Sequence, residues 1–202
     1  MSNGDWIIEE DGITWRSGAI GDSQKTWAEF TVKRPCTVTF KWKISSEPDN
    51  DPMVLYVDGE EHSRISGEME NWADISLTFE DSKNHVLKWE YSKDTSAAGT
   101  YDCGWIGDFV LTPLDSWVVT CDMNYDGAGE FGPRYVKKGR QLDVSEFPPL
   151  DEPREGYTCW WAEAPWSGDV LTNAVDITAD TTLYAHWVKQ YGFKEFDETC
   201  QE

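Results

Sequence analysis

The chain has 202 residues, and its 12 Trp, 8 Tyr and 8 Phe supply ample bulk for hydrophobic cores. Its 17 Lys and Arg against 38 Asp and Glu leave a formal net charge of −21, which repels nucleic acid and anionic lipid and sets polyanion binding aside. No stretch approaches the roughly 18 consecutive apolar residues of a membrane helix, so no membrane insertion is expected. The opening Met1-Ser2-Asn3-Gly4-Asp5 lacks the basic and apolar regions of a signal peptide. If the parent protein is exported, this chain is expected to be a piece of it.

The clearest period is "CTVTFKWKISS", where Cys36, Val38, Phe40, Trp42 and Ile44 alternate with Thr37, Thr39, Lys41, Lys43 and Ser45. That pattern predicts a strand with one apolar and one wet face. "MVLYVDGE", "ADISLTFE", "HVLKWEYSK" and "GWIGDFVLTP" follow, separated by turn chemistry at 48–51, Asp58-Gly59, 81–84 and 97–99. No helical stripe is sustained, and about seven short strands at such spacing predict a β-sandwich. Pro113-Leu114-Asp115-Ser116 closes this half, and "SWVVTCDMN" opens a second unit that ends at "TTLYAHWVKQ". The expected organisation is a domain over 1–114, a domain over 115–188 and a tail or linker over 189–202. The fold class expected throughout is all-β.

Five cysteines occur without a Cys-x-x-Cys pair, which leaves a zinc ribbon or thioredoxin motif unsupported. His62, His85 and His186 lie far apart and read as surface or packing side chains. "DMNYDG" matches the first six positions of a calcium loop, with Asp122, Asn124 and Asp126 as oxygen donors, but the twelfth position, where a bidentate acid belongs, is Pro133. An Asn- and Asp-rich hairpin turn accounts for it more simply. "PDNDP" offers Asp49 and Asp51 as a second acidic pair for calcium at the sandwich edge, against a solvated turn. No motif calls for another cofactor.

Sugar binding needs exposed aromatic faces. Trp72, Trp89, Tyr91 and Trp105 are the candidates in the first half, although most lie on apolar alternation faces and read as core. In "REGYTCWWAEAPW", Trp160 and Trp161 are adjacent on a strand and point to opposite faces, so one is core. The other, with Trp166, is a surface aromatic to test. An enzyme is not expected. The Glu-x-Asp-x-x-Glu string of jelly-roll glycosidases is absent, since "EFDETC" carries Cys200 where the last Glu belongs. There is no nucleophile elbow and no phosphate-cradling loop.

Residues 13 to 112 resemble the bacterial MAM-like, concanavalin-type jelly-roll modules, on "CTVTFKWKISSE", "LYVDG", "RISGEMENW", "HVLKWEYSKD" and "GTYDCGWIGDFVLTP". Gly107 stands where that family usually places a carboxylate. Residues 117 to 188 resemble the internalin-type B-repeat, a β-grasp module, on "VVTCDMNYDG", "RYVKKGRQL", "REGYTCWWAEA" and "DITADTTLYAHW". The resemblance implies a jelly-roll β-sandwich followed by a small β-grasp domain. It also implies a non-catalytic part in adhesion, recognition or spacing within an exported, modular bacterial protein at the cell surface or outside the cell. The partner expected is a glycan or a surface protein, and the alternative is a carbohydrate-binding module attached to a secreted glycoside hydrolase or peptidase. In both apparent families the cysteines fall on core-facing positions. Within-domain disulfides Cys36–Cys103 and Cys121–Cys159 are therefore preferred among the three connectivities that four cysteines allow. The second would close a loop of about 38 residues.

Overall fold

A computed structural model describes residues 6–95, 99–128, 132–143, 146, 157–165, 171 and 174–189. The chain divides into two compact units, Met1–Asp115 and Ser116–Glu202. Among the described residues nearly all regular structure is β-strand, and no helix is long and apolar enough to cross a membrane.

The first unit carries β1 (Ile7–Ile8), β2 (Trp15–Arg16), β3 (Lys25–Val32), β4 (Cys36–Ser45), β5 (Met53–Val57), β6 (Glu60–Ile65), β7 (Ala73–Phe79), β8 (His85–Ser92) and β9 (Cys103–Pro113). They form two antiparallel sheets, ordered β1-β2-β9-β4-β7 and β3-β8-β5-β6. The chain passes from one sheet to the other at β2–β3, β3–β4, β4–β5, β6–β7, β7–β8 and β8–β9. Each crossing turns an apolar strand face inward. Val38, Phe40, Trp42 and Ile44 of β4 meet Leu55 of β5 and Leu87, Trp89 and Tyr91 of β8 in one buried core. The result is a β-sandwich. Phe40, Trp89 and Phe109 pack edge to face and stacked at 5.1–6.3 Å, the offset geometry that aromatic quadrupoles favour. The β5–β6 hairpin turns on Asp58 (φ 53°) and Gly59 (φ 87°), the paired left-handed conformations of a type I′ turn. β3 is the strand that the sequence pattern does not announce. Its second and last residues, Thr26 and Val32, are buried while the others are half-buried or exposed.

The second unit carries β10 (Ser116–Asp122), β11 (Arg134–Lys137), β12 (Gln141–Leu142), β13 (Tyr157–Ala162), β14 (Val175–Asp176) and β15 (Thr181–Lys189). Its main sheet runs β11-β10-β15-β13, with β10 and β15 parallel and the other pairs antiparallel. β12 and β14 pair separately. Val119, Cys121, Val136, Leu142, Trp161, Leu183 and Ala185 form its core.

The expected disulfides are corrected. Cys36, Cys103, Cys121 and Cys159 are free thiols. Cys103 sits opposite Ser45 while Cys36 begins the same strand β4, nine residues away, so about 30 Å separates them. A disulfide requires Cα atoms within about 7 Å. Cys121 and Cys159 face the same core from strands on opposite flanks of β15, level with Leu183 and Trp187 respectively. Two strand spacings across and four residues along place them roughly 16 Å apart. Burial pushes the Cys103 and Cys121 thiols up to about 11, which keeps them protonated and unreactive near neutrality. Cys200 lies outside the described residues.

Candidate functional site

On the sandwich, the outward face of the β1-β2-β9-β4-β7 sheet gathers aromatics from three separate segments. Trp105 lies opposite Lys43 in the β9–β4 register, so both side chains point away from the core that Trp42 and Ile106 fill. Trp72, just before β7, joins them. The Lys43 ammonium lies 4.8 Å from the Trp72 ring centroid and 4.9 Å from that of Trp105, a double cation–π contact. Tyr101, 72% exposed, meets Trp105 edge-on at 6.1 Å.

The backbone beneath this cluster fits it. A Cβ on Gly107 would come within 3.3 Å of the Trp72 ring, so the glycine lets that indole lie close over β9. The segment carrying Tyr101 is pinned at two points: Thr100 N–H donates to Glu68 Oε1 at 2.7 Å, and Tyr101 N–H donates to Ser45 Oγ at 3.0 Å. The first of these bonds holds the Glu68 carboxyl below its ordinary value.

The outward face of the other sheet is different in kind. Lys88 there lies 5.0 Å from the Trp27 ring and 5.5 Å from that of Tyr56, but it is neutralised by Glu90 at 2.7 Å, which Lys25 also holds at 2.9 Å. Among the described residues Lys43 forms no ion pair. It is a cation over two indoles.

A second group of polar side chains gathers where the β4–β5 crossover meets the end of β8. Glu47, Asp51 and Asp94 bring carboxylate oxygens within 4.8 Å of one another. Asp51, 0% exposed, accepts the Asp94 N–H at Oδ1 (2.8 Å), and its own N–H donates to the Glu47 carbonyl at 3.3 Å. Glu47 Oε1 accepts from the Asn50 amide at 3.0 Å. Asp51 Oδ2 and Glu47 Oε2 are buried without a hydrogen-bond partner among the described residues. Burial raises the Asp51 carboxyl above its ordinary value, against the opposing pull of the Asp94 N–H and Lys93.

The residues singled out from sequence distribute as follows. Trp105 is on the outward face, and Trp89 and Tyr91 are core. Of the adjacent pair Trp160 and Trp161, both candidates for ligand binding, Trp161 lies in the core of the second unit at 2% exposure, across the ladder from buried Ala185, so it is not a surface aromatic. Trp160 faces the other way, tilted against His186 at 5.8 Å. With Asn124, Pro165 and Val188 it borders an open concavity of about 360 Å³. Trp166 lies outside the described residues. In "PDNDP", Asp51 belongs to a carboxylate group but exposed Asp49 does not. Glu47 and Asp94 take that place, and Asp49 instead turns the chain at φ 66° with its N–H on Ser66 Oγ. In "DMNYDG", Asp122 Oδ1 accepts the Asn124 N–H at 2.7 Å, closing the turn, and the Asn124 side-chain amide donates to the Pro165 carbonyl at 2.7 Å, tying the turn to the segment after β13. Missed from sequence were Tyr101, Lys43, Glu47 and Asp94. Only the wet-face position of Lys43 was readable.

No protein-family model and no curated protein matches the chain, so neither resemblance drawn from its motifs has a family match behind it. Among solved structures, the secreted serine protease VesC from Vibrio cholerae aligns at 15% identity and TM-score 0.43 over 50% of this chain and 22% of its own. A family 4 carbohydrate-binding module aligns at 14% and 0.32 over 55% and 76%. A family 2 carbohydrate esterase from Cellvibrio japonicus aligns at 13% and 0.34 over 64% and 41%. At TM-scores below 0.5, none of the three assigns a function to this chain.

Proposed function

We propose that this chain is a non-catalytic recognition piece of an exported, modular protein, acting at the cell surface or outside the cell, and that its ligand is a glycan. The observation that carries this reading is the outward-facing cluster of Trp72, Trp105 and Tyr101 around Lys43, which forms no ion pair among the described residues. Indole faces take the apolar C–H faces of pyranose rings, and an ammonium among them donates to hydroxyl or carboxylate oxygens. Spread over the outward face of a sheet and the segments beside it, such a surface suits a chain of sugar residues better than a small molecule. A pure spacer has no use for a cation placed over two outward-facing indoles on so acidic a chain.

The test is a screen of the full chain against defined polysaccharides, followed by calorimetric titration of the binders. Trp105→Ala and Trp72→Ala are each expected to weaken binding at least about tenfold, with the far-ultraviolet spectrum unchanged. Lys43→Met is expected to weaken acidic glycans more than neutral ones. Binding that survives both Trp changes, or no binder in the screen, refutes the proposal.

A further inference from the structure

The geometry points to a calcium site formed by Glu47, Asp51 and Asp94, clamping the β4–β5 crossover to the end of β8. It stands independently of the glycan reading. Acidic side chains often cluster without an ion, so what distinguishes this group is the fully buried Asp51, whose carboxylate lies within the cluster and whose Oδ2 has no hydrogen-bond partner among the described residues. Glu47 Oε2 is likewise buried with no hydrogen-bond partner among the described residues. Burying a carboxylate oxygen with no donor is costly, and a bound cation removes that cost. The cation on hand does not serve: Lys93, whose charge reaches Asp51, has its ammonium bonded to Asp102.

The spacing and chemistry fit one ion. Calcium holds its oxygens at about 2.3–2.6 Å, so no two of them lie further apart than roughly 5 Å. The three carboxylates meet that condition at 4.8 Å. All donors are hard oxygens, with no imidazole or thiolate in the group, which disfavours zinc. Magnesium demands near-ideal octahedral geometry and retains its waters, which a buried oxygen such as Asp51 Oδ2 accommodates poorly. The ion would join the two sheets of the sandwich at a crossover. It would also replace the mutual repulsion of Asp51 and Asp94 with attraction to a shared charge.

Calorimetric unfolding of the full chain in 5 mM CaCl2 or in EDTA, at matched ionic strength, tests the site. A bound ion at saturating concentration is expected to raise the midpoint of one transition by about 5 °C or more. Glu47→Gln, a near-isosteric change at a half-buried position, is expected to remove most of that rise while leaving the midpoint in EDTA unchanged or higher. Asp122→Asn, in the turn of the second unit, is expected to keep the whole rise. Terbium, titrated as a calcium substitute, is expected to give tryptophan-sensitised emission that calcium displaces and that Glu47→Gln weakens at least tenfold. Equal midpoints in calcium and EDTA, an undiminished rise in Glu47→Gln, or an equal rise with magnesium would overturn the assignment.

Discussion

His85 is held by carboxylates from two different turns. Asp58 Oδ2 approaches Nδ1 at 2.7 Å from the β5–β6 hairpin, and Asp81 Oδ1 approaches Nε2 at 2.6 Å from the β7–β8 turn, while the ring stacks on Phe79 at 4.4 Å. Both ring nitrogens can donate only in the imidazolium form. Burial opposes that charge, but the hydrogen bonds and charges of Asp58 and Asp81 outweigh it and hold the pKa above its ordinary 6.5. A raised histidine contributes stability that is full below the unfolded value and is lost as pH rises through the folded one. For Asp58, burial works against the charged form, yet the bonds from His85 and Val86 N–H, with the charges of His85 and Lys83, leave its carboxyl lowered. Its contribution is present above the unfolded value and fails as pH falls through the folded one. His85→Gln is therefore expected to cost about 1 kcal/mol in urea unfolding at pH 5.5, with the gap narrowing by pH 9. A gap of constant size across that range would show that packing on Phe79, not charge, is what the side chain supplies. None of this was readable from three isolated histidines, because the contact depends on which two turns the sheet brings side by side.

At the scale of elements, the strands with strong two-residue alternation were legible and their partners were not. β4 could be drawn from Cys36, Val38, Phe40, Trp42 and Ile44 alone, whereas β3, with only Thr26 and Val32 fully buried, gave too little contrast. The outward aromatic cluster was hidden for a related reason. Trp72, Tyr101 and Trp105 come together only through the register that sets Trp105 opposite Lys43. Alternation likewise separated Trp160 from Trp161, but only the pairing of Trp161 with Ala185 shows which is inside. The cysteines failed on the same point. Cys36 and Cys103 each begin a strand, and because β4 and β9 are antiparallel neighbours, two strand beginnings lie at opposite ends. A reducing agent is thus expected to leave thermal unfolding alone, with midpoints in 5 mM dithiothreitol and in its absence agreeing within about 1 °C. An intact disulfide is worth about 2–4 kcal/mol, so a loss of several degrees on reduction would contradict the free thiols.

For the whole molecule, the consequence of two cores is two separable stabilities. Trp42 lies in the first core, among residues that all precede Pro113, and Trp161 lies in the second, among residues that all follow Asp115. Each is buried to 2% exposure. Truncating either indole leaves a large cavity and is expected to cost about 3–5 kcal/mol. Because the cores share no residue, Trp42→Ala is expected to lower the unfolding transition of one unit and Trp161→Ala that of the other, with the double variant showing both losses in full. Guanidinium unfolding followed by circular dichroism, with the unfolded fraction of each unit tracked by limited proteolysis and mass spectrometry, reads the two transitions separately. If Trp42→Ala instead lowered both transitions equally, the chain would be unfolding as one cooperative body. A calcium-dependent shift confined to the transition that Trp42→Ala lowers would then place the ion in the sandwich by a route independent of the Glu47 substitution, since Glu47, Asp51 and Asp94 all belong to that unit.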